Sequence, residues 1–501
     1  MQISKTSTIM LLLLLSAGLQ LWLPIFGDEA YFVSWGLRPS LGYYDHPPSI
    51  GWLSIPLIWL ENQLGIVPHG VLHRVMVLAL AIATLFWLRR PLGRMFPGQN
   101  IDDLLLAVAA LPVFVVVFNS FFNDTILAVF LLVFFVASYQ SFSERAWRLG
   151  PILLAGLGFG LALQTKYSVG VFYIGLVLSL LVSTDGRRFL FGRFIAISVV
   201  AGLIFLPNVF WNLYNCNINF AFNFAFRSVE ASAMGGVQFL LVLLLVLGPT
   251  GFFLLSGWRR GGRIGFFSAA LIGVVLVSLA YAVSRGTFRL NWGTPFLMMG
   301  LLAVAELVSA DKIKRLKAWN LGFSLVSLLP IIGLLALDAM GQRPLERFLP
   351  PAALAQFNME ADMADGSLPK SINAARGTAW VASDFYGQVA VLENYGLENV
   401  VLISQSIFGR NQDMFIDYSA LDGSDILYLT DSPAEARAFA LRFFDQVEEL
   451  ALPGTRQTHI AFLGRGFRYE TYRSEKILPF MTAKYDASPF PALGCFMDKY
   501  R

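Results

Sequence analysis

Long apolar runs, separated by short polar segments, fill the first 340 residues of this 501-residue chain. Eleven of the runs approach the roughly twenty residues that an α-helix needs to cross the hydrocarbon core of a bilayer. The predicted spans are residues 7–26, 70–88, 103–119, 124–142, 150–165, 168–184, 191–211, 236–256, 264–284, 293–310 and 318–339. Residues 47–61 are also apolar, but this stretch is shorter and contains Pro56, which favours an interfacial or re-entrant helix. The pattern predicts an α-helical, polytopic membrane protein with about eleven transmembrane helices.

The pattern changes after residue 340, where charged residues return and short β-like runs alternate with amphipathic stretches. The β-like runs are residues 379–382, 400–404, 425–430 and 459–463. Residues 432–450 have the spacing of an amphipathic helix. We therefore predict a membrane domain over residues 1–340, with a first outer loop at 27–69, and a C-terminal extracytoplasmic α/β domain over residues 341–501.

Composition and charge refine this description. Hydrophobic residues make up 56% of the chain and charged residues 14%, whereas soluble proteins are about one quarter charged. Of the Lys and Arg residues near the span ends, sixteen lie in one alternating set of connections and six in the other. The positive-inside rule places the first set in the cytoplasm, and an odd number of spans then places the C-terminal domain outside. The first run lacks a small-residue cleavage site, so we expect it to be retained as a span. The net charge of +4 requires no nucleic-acid partner.

Acidic residues stand at the outer ends of two predicted spans. Asp28 and Glu29 follow the first span, and Asp124 begins the fourth. Ionisable groups at this depth are costly unless they serve a site or face water. A carboxylate here suits the base that takes a proton from an acceptor hydroxyl or amine. Each aspartate could equally cap a helix, and the two roles are compatible because a cap also fixes the carboxylate.

Cationic and amide side chains lie in two polar breaks on the same predicted face. Lys166 and Tyr167 form one break, and Arg285, Arg289 and Asn291 belong to the other. Positive residues are scarce in the loops predicted on the outer face of the membrane. A cation at the depth of the lipid headgroups could bind a lipid-linked phosphate. The plainer alternative for Lys166 is a lysine that reaches the interface with its charged end.

A compact polar cluster, Tyr44-Asp45-His46, precedes two prolines in the first outer loop. His46 could bind metal, transfer a proton or donate a hydrogen bond to a phosphate. The spacing of the four histidines matches no zinc pattern, so we predict no metal site, although a divalent cation remains open. Cys216 and Cys495 both lie in segments predicted outside, where a disulfide could form; two separate thiols are the alternative.

The order of these motifs resembles that of the GT-C membrane glycosyltransferases. The motifs are Asp28-Glu29-Ala30-Tyr31, Gly42-Tyr43-Tyr44-Asp45-His46-Pro47-Pro48, Asn123-Asp124, Thr165-Lys166-Tyr167 and Asn291-Trp292-Gly293-Thr294-Pro295. The branch most similar is the bacterial protein-mannosyltransferase-like family, which includes the aminoarabinose transferases acting on lipid A. Residues 383–387 and 409–413 also resemble the outer domain of bacterial members.

The resemblance implies an inverting glycosyltransferase with a polyprenyl-phosphate-linked sugar donor. Its acceptor would be an envelope glycolipid or polysaccharide, similar to lipid A or lipopolysaccharide, at the outer face of the bacterial inner membrane. Asp28 would be the base, Asp124 would assist in the site, and Lys166 would hold the lipid phosphate. Aminoarabinose transferases usually carry a lysine-proline step where this chain has His46-Pro47-Pro48. We therefore expect phosphate binding to differ there.

The polar motifs and the resemblance together predict which residues are catalytic and which bind substrate. The catalytic residues are Asp28 and Asp124. The substrate-binding residues are Glu29, Tyr44, Asp45, His46, Lys166, Tyr167, Arg285, Arg289 and Asn291. The alternatives are a flippase for lipid-linked sugars, a protein O-mannosyltransferase-like enzyme and a non-catalytic assembly protein. Transporters tend to carry inverted repeats, and none is visible in this sequence.

Overall fold

A computed structural model describes residues 5–25, 27–118, 120–143, 146–182, 190–226, 231–259, 264–403, 410–430, 433–486 and 488–501. Predicted boundaries or motif residues at 26, 119, 183–184, 404, 409 and 432 lie outside these described residues. The chain divides into two compact units. The helical unit comprises Met1–Trp22, Arg74–Asn208 and Ser228–Ala336, and the mixed unit comprises Leu23–His73, Val209–Arg227 and Leu337–Arg501. The predicted boundary at residue 340 stays a prediction.

The first sixteen α-helices, in chain order, cover most of the apolar part of the chain. They are α1 Lys5–Trp22, α2 Gly27–Ser34, α3 Ser49–Leu64, α4 Val71–Met95, α5 Ile101–Ala109, α6 Pro112–Val117, α7 Asn123–Ser143, α8 Leu149–Leu163, α9 Val169–Val182, α10 Leu190–Leu213, α11 Ile218–Ala221, α12 Ala233–Leu247, α13 Pro249–Arg259, α14 Phe266–Arg285, α15 Thr294–Leu307 and α16 Ala310–Ala339. Shorter 3₁₀ or π turns lie at Trp35–Leu37, Phe222–Phe226 and Leu290–Gly293.

Within the described residues, six helices are long and apolar enough to cross a membrane. They are Val71–Met95, Asn123–Ser143, Phe191–Leu213, Phe266–Arg285, Leu290–Leu307 and Ala310–Ala339. The bent pair α12 and α13 would make a seventh, and α8 and α9 are apolar but shorter. The class of a helical, multi-pass membrane protein is therefore confirmed. The number eleven stays a prediction.

Two predicted spans are interrupted by proline. The predicted span 103–119 is divided between α5 and α6, where Pro112 occupies the first turn of α6. Proline favours that position because its missing N–H would have no partner there in any case. The predicted span 236–256 bends by 94° between α12 and α13. Gly248 ends α12 with a φ of +50°, and Pro249 begins α13. Glycine after a helix and proline at the start of the next give an abrupt change of direction.

Helix α7 lies in the core of the helical unit. Its side chains are apolar around the whole helix and nearly all are buried, as expected of a helix enclosed by others. Phe134 stacks on Phe159 of α8 with ring centroids 4.8 Å apart. A Cβ on Gly158 would lie 2.9 Å from the backbone nitrogen of Phe134, so this close packing of α8 on α7 requires glycine. The first turn of α7, which carries Asp124, therefore projects from a fixed helix.

The mixed unit contains a five-stranded sheet and eight further short helices. The strands are β1 Trp380–Ser383, β2 Val400–Leu402, β3 Ile426–Leu429, β4 Phe444–Pro453 and β5 Thr458–Phe467. The helices are α17 Leu345–Phe348, α18 Pro351–Ala364, α19 Ser367–Arg376, α20 Tyr386–Asn394, α21 Asn411–Phe415, α22 Pro433–Phe443, α23 Tyr469–Tyr472 and α24 Leu478–Phe480. Further 3₁₀ or π turns lie at Tyr418–Leu421, Arg473–Ile477, Met481–Asp486 and Phe496–Tyr500. The strand order is β2-β1-β3-β5-β4.

The sheet is mixed. Strand β1 pairs in parallel with β2 and β3, whereas β5 pairs antiparallel with β3 and β4. Strands β1, β2, β3 and β5 overlap the four predicted β-like runs, so that part of the α/β prediction is confirmed. The predicted helix at 432–450 is wrong beyond Phe443, because residues 444–453 form β4. That strand pairs with β5 from Phe444 opposite Phe467 to Pro453 opposite Thr458. Such long-range pairing overrides local helix propensity.

Segments distant in sequence are joined within the mixed unit. The side-chain amide of Asn394 on α20 donates to the Ala30 carbonyl of α2 at 2.8 Å. A disulfide joins Cys216 to Cys495, which decides between the two alternatives left open by the sequence. The backbone N–H of Cys216 also donates to the Gly494 carbonyl at 2.8 Å. Residues of the first predicted loop and those near Cys216 are therefore held against the C-terminal residues.

Candidate active site

Asp28 lies in the first turn of α2 and points outward. Its side chain is exposed, whereas the neighbouring Glu29 is only 1% exposed. The sequence allowed Asp28 to cap a helix, whereas in the structure it lies inside the first turn of α2, which begins at Gly27. Acidic groups are favourable there because the N-terminal end of a helix carries partial positive charge. The start of α2 is also bonded to a residue from the C-terminal part of the chain, because the Gly27 N–H donates to Glu360 Oε1 at 3.0 Å.

A tyrosine from the C-terminal part of the chain contacts this carboxylate, and an arginine lies against the tyrosine. The Tyr386 hydroxyl donates to Asp28 Oδ1 at 3.1 Å. The Arg410 guanidinium lies over the Tyr386 ring, with its central carbon 3.8 Å from the ring centroid. Arg410 also donates to Asp45 Oδ2 at 2.7 Å. Asp28 and Asp45 of the first outer loop are thus connected through Tyr386 and Arg410.

The surroundings raise the pKa of two groups in this cluster, Tyr386 and Arg410. Burial raises the pKa of Tyr386 above its ordinary value; the charge of Arg410 opposes the rise, and the charges of Asp28 and Asp45 add to it. Tyr386 therefore remains a hydroxyl donor. Burial acts to lower the pKa of Arg410, but the nearby acidic groups, Asp45 first among them, together outweigh it and the pKa is raised. Arg410 is a permanent cation, and Asp45 balances its charge.

Asp28 itself forms no ion pair among the described residues. One of its oxygens accepts from Tyr386, and the exposed carboxylate has room to accept a further proton donor. A general base needs a carboxylate that is fixed in position and free to take a proton. Asp28 meets both conditions.

Three predicted substrate-binding residues of the first outer loop lie in the same cluster or beside it. Asp45 is 1% exposed and also accepts from the Tyr31 hydroxyl at 3.0 Å. Tyr44 is fully buried, and its backbone N–H donates to Asn411 Oδ1 at 2.7 Å. His46 is half-buried, with its ring 5.9 Å from that of Phe32. Asp45 and Tyr44 therefore hold the loop to the C-terminal residues, and His46 is the more accessible of the three.

The helical unit holds a second cluster, around Asp124. Lys166 Nζ lies 2.7 Å from Asp124 Oδ1, and the Asn291 side-chain amide donates to Asp124 Oδ2 at 2.8 Å. The side chains of Lys166 and Asp124 are 12% and 4% exposed. The Lys166 ammonium also lies 5.4 Å from the ring centroid of Trp292. Three predicted residues from three separate segments therefore meet in one hydrogen-bonded group.

The other predicted residues of the helical unit occupy different positions. The Tyr167 hydroxyl donates to Asn208 Oδ1 at 2.7 Å. Arg285 lies over the ring of Tyr281, with its central carbon 5.4 Å from the centroid. Arg289 is exposed. Tyr167 is thus hydrogen-bonded to α10. The charged side chain of Arg289 is accessible at the surface.

Tyr386 and Arg410 were not among the predicted site residues. The only sequence signal for them was the resemblance of residues 383–387 and 409–413 to the outer domain of bacterial family members. Arg410 lies 365 positions from Asp45, so no local pattern could have paired them. The divalent cation left open by the sequence gains no candidate site: among the described residues, no three His, Cys, Asp or Glu side chains converge as metal ligands.

Comparison of the fold places this chain in a known structural class. It superposes on ArnT from Cupriavidus metallidurans bound to undecaprenyl phosphate with a TM-score of 0.60. The match covers 91% of this chain and 97% of ArnT at 15% identity. The apo form of the same protein matches equally well, at 14% identity. The protein thus shares the fold of ArnT.

Sequence comparison narrows the relationship. Residues 45–211 match the family described as dolichyl-phosphate-mannose-protein mannosyltransferase. A lipid A galacturonosyltransferase, RgtD from Rhizobium johnstonii, is 28% identical over 231 residues. That alignment spans 46% of this chain and 47% of RgtD, so it covers about half of either protein. These matches confirm the resemblance to the GT-C glycosyltransferases inferred from the motifs.

Proposed function

We propose that this protein is a glycosyltransferase that moves a sugar from a polyprenyl-phosphate carrier to a lipid A-type glycolipid. The fold supports the proposal, since ArnT is known bound to undecaprenyl phosphate. The name of the relative RgtD, a lipid A galacturonosyltransferase, supports the acceptor class. We further propose that the protein works in the bacterial inner membrane, with its reacting groups and its C-terminal domain on the outer face.

The exposed Asp28 carboxylate, held by Tyr386, is the observation on which the proposed chemistry depends. Asp28 removes the proton of the acceptor hydroxyl as that oxygen attacks the anomeric carbon. The bond from this carbon to the phosphate oxygen breaks, and the lipid phosphate leaves with the electron pair. The configuration inverts because attack and departure occur on opposite sides of the carbon. No covalent sugar–enzyme intermediate forms.

Cationic groups would stabilise the departing phosphate. We propose Lys166 for this role, oriented by Asp124 and Asn291, with the exposed Arg289 and the neighbouring Arg285 adding positive charge. Glu29, Tyr44, Asp45, His46 and Tyr167 would shape the substrate site. Asp124 would then act by positioning Lys166, since its two oxygens are already occupied.

The test is sugar transfer by the purified full-length protein, with lipid A as the acceptor and mass spectrometry as the readout. Asp28→Asn keeps the shape of the side chain and removes its basicity, so we expect a loss of roughly a hundredfold or more. Tyr386→Phe removes one hydrogen bond to the base and should cost less. Asp445→Asn is the matched control, because Asp445 is also exposed and has an arginine partner within the mixed unit. Full activity of Asp28→Asn would exclude Asp28 as the base.

The acceptor needs a separate measurement. The matching family is named for transfer of mannose to protein, which makes protein a second candidate acceptor. Lipid A and membrane proteins from cells with and without the gene would be compared by mass spectrometry. A gene-dependent sugar on lipid A supports the proposal. A gene-dependent sugar found on proteins alone would show that the acceptor is protein and not lipid A, and the proposal of a glycosyltransferase would stand.

A further inference from the structure

A cationic cavity lies in the helical unit, away from Asp124 and Lys166. It has a volume of about 790 Å³, above the roughly 300 Å³ at which ligand pockets begin. The last turns of α4 form one side of it, and α7 and α8 contribute to the other. The residues that define it here are Trp87, Arg89, Arg90, Arg94, Gln140 and Leu154.

The cavity is at the opposite end of the helices that carry the Asp124 cluster. Gln140 follows Asp124 by sixteen positions on α7, or about 24 Å at 1.5 Å per residue. Leu154 lies near the start of α8, whereas Lys166 follows the end of that helix. Because α7 is long and apolar enough to cross a membrane, its two ends belong to opposite leaflets. The cavity is therefore separate from the proposed catalytic groups.

Among the described residues, two of its three arginines have no acidic partner. Arg89 makes a two-pronged ion pair with Asp102, with Nε to Oδ1 at 2.7 Å and Nη2 to Oδ2 at 2.8 Å. Arg90 and Arg94 are four positions apart on α4 and so lie on the same side of the helix. Neither has an acidic partner in the part of the chain that the structure describes. The cavity thus has an excess of positive charge on one helix face.

Aromatic side chains adjoin these arginines on the apolar part of α4. Phe86 is 64% exposed and Trp87 is 37% exposed, and both line the cavity. Aromatic rings beside basic residues are typical of the membrane–water interface. A free phosphate would use the arginines but gain nothing from the exposed rings. A lipid with a negative headgroup and apolar chains complements both features.

We propose that this cavity binds the headgroup of an anionic phospholipid in the leaflet opposite the Asp124 cluster. Under the orientation predicted from the loops, this is the cytoplasmic leaflet, where basic pockets between helices bind anionic headgroups. Arg90 and Arg94 hold the phosphate, and Phe86 and Trp87 contact the first part of the acyl chains. The site is independent of the proposed sugar transfer.

The test is a titration of the delipidated, full-length protein in a non-ionic detergent with short-chain phosphatidylglycerol, followed by native mass spectrometry. Short-chain phosphatidylcholine and inorganic phosphate are titrated in parallel. The variant is the pair Arg90→Gln and Arg94→Gln, which removes the unbalanced charges. The matched control is the pair Lys314→Gln and Arg315→Gln, because these two cations are exposed at the start of α16 and do not line the cavity.

We expect wild type to bind phosphatidylglycerol in preference to phosphatidylcholine. At about a fivefold effect for each arginine, the double variant should bind it roughly 25-fold more weakly, and the control should stay within about twofold. Equal binding of the two lipids, or an equal loss in the control, would overturn the proposal. Displacement of the lipid by inorganic phosphate at similar concentration would also overturn it, because the site would then recognise the anion without the chains. Size-exclusion profiles verify that both variants fold.

Discussion

Replacement of Glu360 by glutamine should change how the stability of the protein depends on pH. Glu360 lies on α18 and is 2% exposed. Its Oε1 accepts from the Gly27 N–H and from the Gln356 side-chain amide, each at 3.0 Å. Its Oε2 is buried and has no hydrogen-bond partner among the described residues. A carboxyl group in this environment strongly prefers to keep its proton.

Burial raises the pKa of Glu360 from 4.5 to about 7. The hydrogen bonds from Gln356 and Gly27 oppose the rise, and the negative charges of Glu29 and Asp28 add to it. The unfolded chain releases this proton near pH 4.5, whereas the folded protein keeps it until about pH 7. Stability is therefore highest below pH 4.5 and falls as the pH rises to about 7. The shift corresponds to roughly 3 kcal/mol, since one pKa unit is worth 1.36 kcal/mol.

Glutamine has nearly the same shape as protonated glutamate and does not ionise in this range. We expect Glu360→Gln and wild type to have similar stability at pH 5, within about 1 kcal/mol. At pH 8 the variant should be more stable, by up to about 3 kcal/mol. Unfolding of the detergent-solubilised protein between pH 5 and pH 8.5 measures the difference. Glu346→Gln is the matched control, because the Glu346 side chain is 50% exposed. A difference that does not grow with pH would refute the effect assigned to burial.

Two further predictions concern other contacts. Lys166→Ala should raise the KM for a soluble, truncated donor about tenfold or more and change the KM for the acceptor less. The reason is that one charge-assisted contact to the donor phosphate is lost. Steady-state kinetics with each substrate measure both KM values. The matched control is Lys317→Ala, which removes a lysine paired with another aspartate, and equal effects on donor and acceptor would contradict the role. In protein extracted from membranes and denatured, no thiol should react with a maleimide until reductant is added, because Cys216 and Cys495 are the only cysteines and they form a disulfide. Two reactive thiols before reduction would contradict their predicted position outside the cytoplasm, where disulfides persist.

The apolar pattern was sufficient to predict the class of fold. It placed Asp124 at the start of a long helix, and α7 begins at Asn123. It did not show the 94° bend between α12 and α13, whose local signal is the Gly248-Pro249 step and not the apolar pattern. It also failed at β4, since the residues after Phe443 suit a helix locally and become a strand only by pairing with β5.

The composition of the candidate site was predictable only in part. Asp28, Asp124 and Lys166 stand at the ends of apolar runs, so position alone was enough to single them out. The roles of Tyr386 and Arg410 depend on contacts across more than 350 positions, with Asp28 and Asp45 respectively. Neither residue type nor spacing encodes such contacts, which arise from packing of the C-terminal residues on the first outer loop.

The two aspartates, which the sequence presents alike, differ in what they can do. Asp124 already balances the charge of Lys166, so protonating it would leave a largely buried ammonium without its partner, and breaking such a pair is costly. Asp28 is exposed and accepts only a neutral hydroxyl among the described residues, so protonating it leaves no cation unpaired. A general base must gain a proton in every catalytic cycle. On this ground we propose Asp28 as the base and Asp124 as the residue that holds the lysine in place.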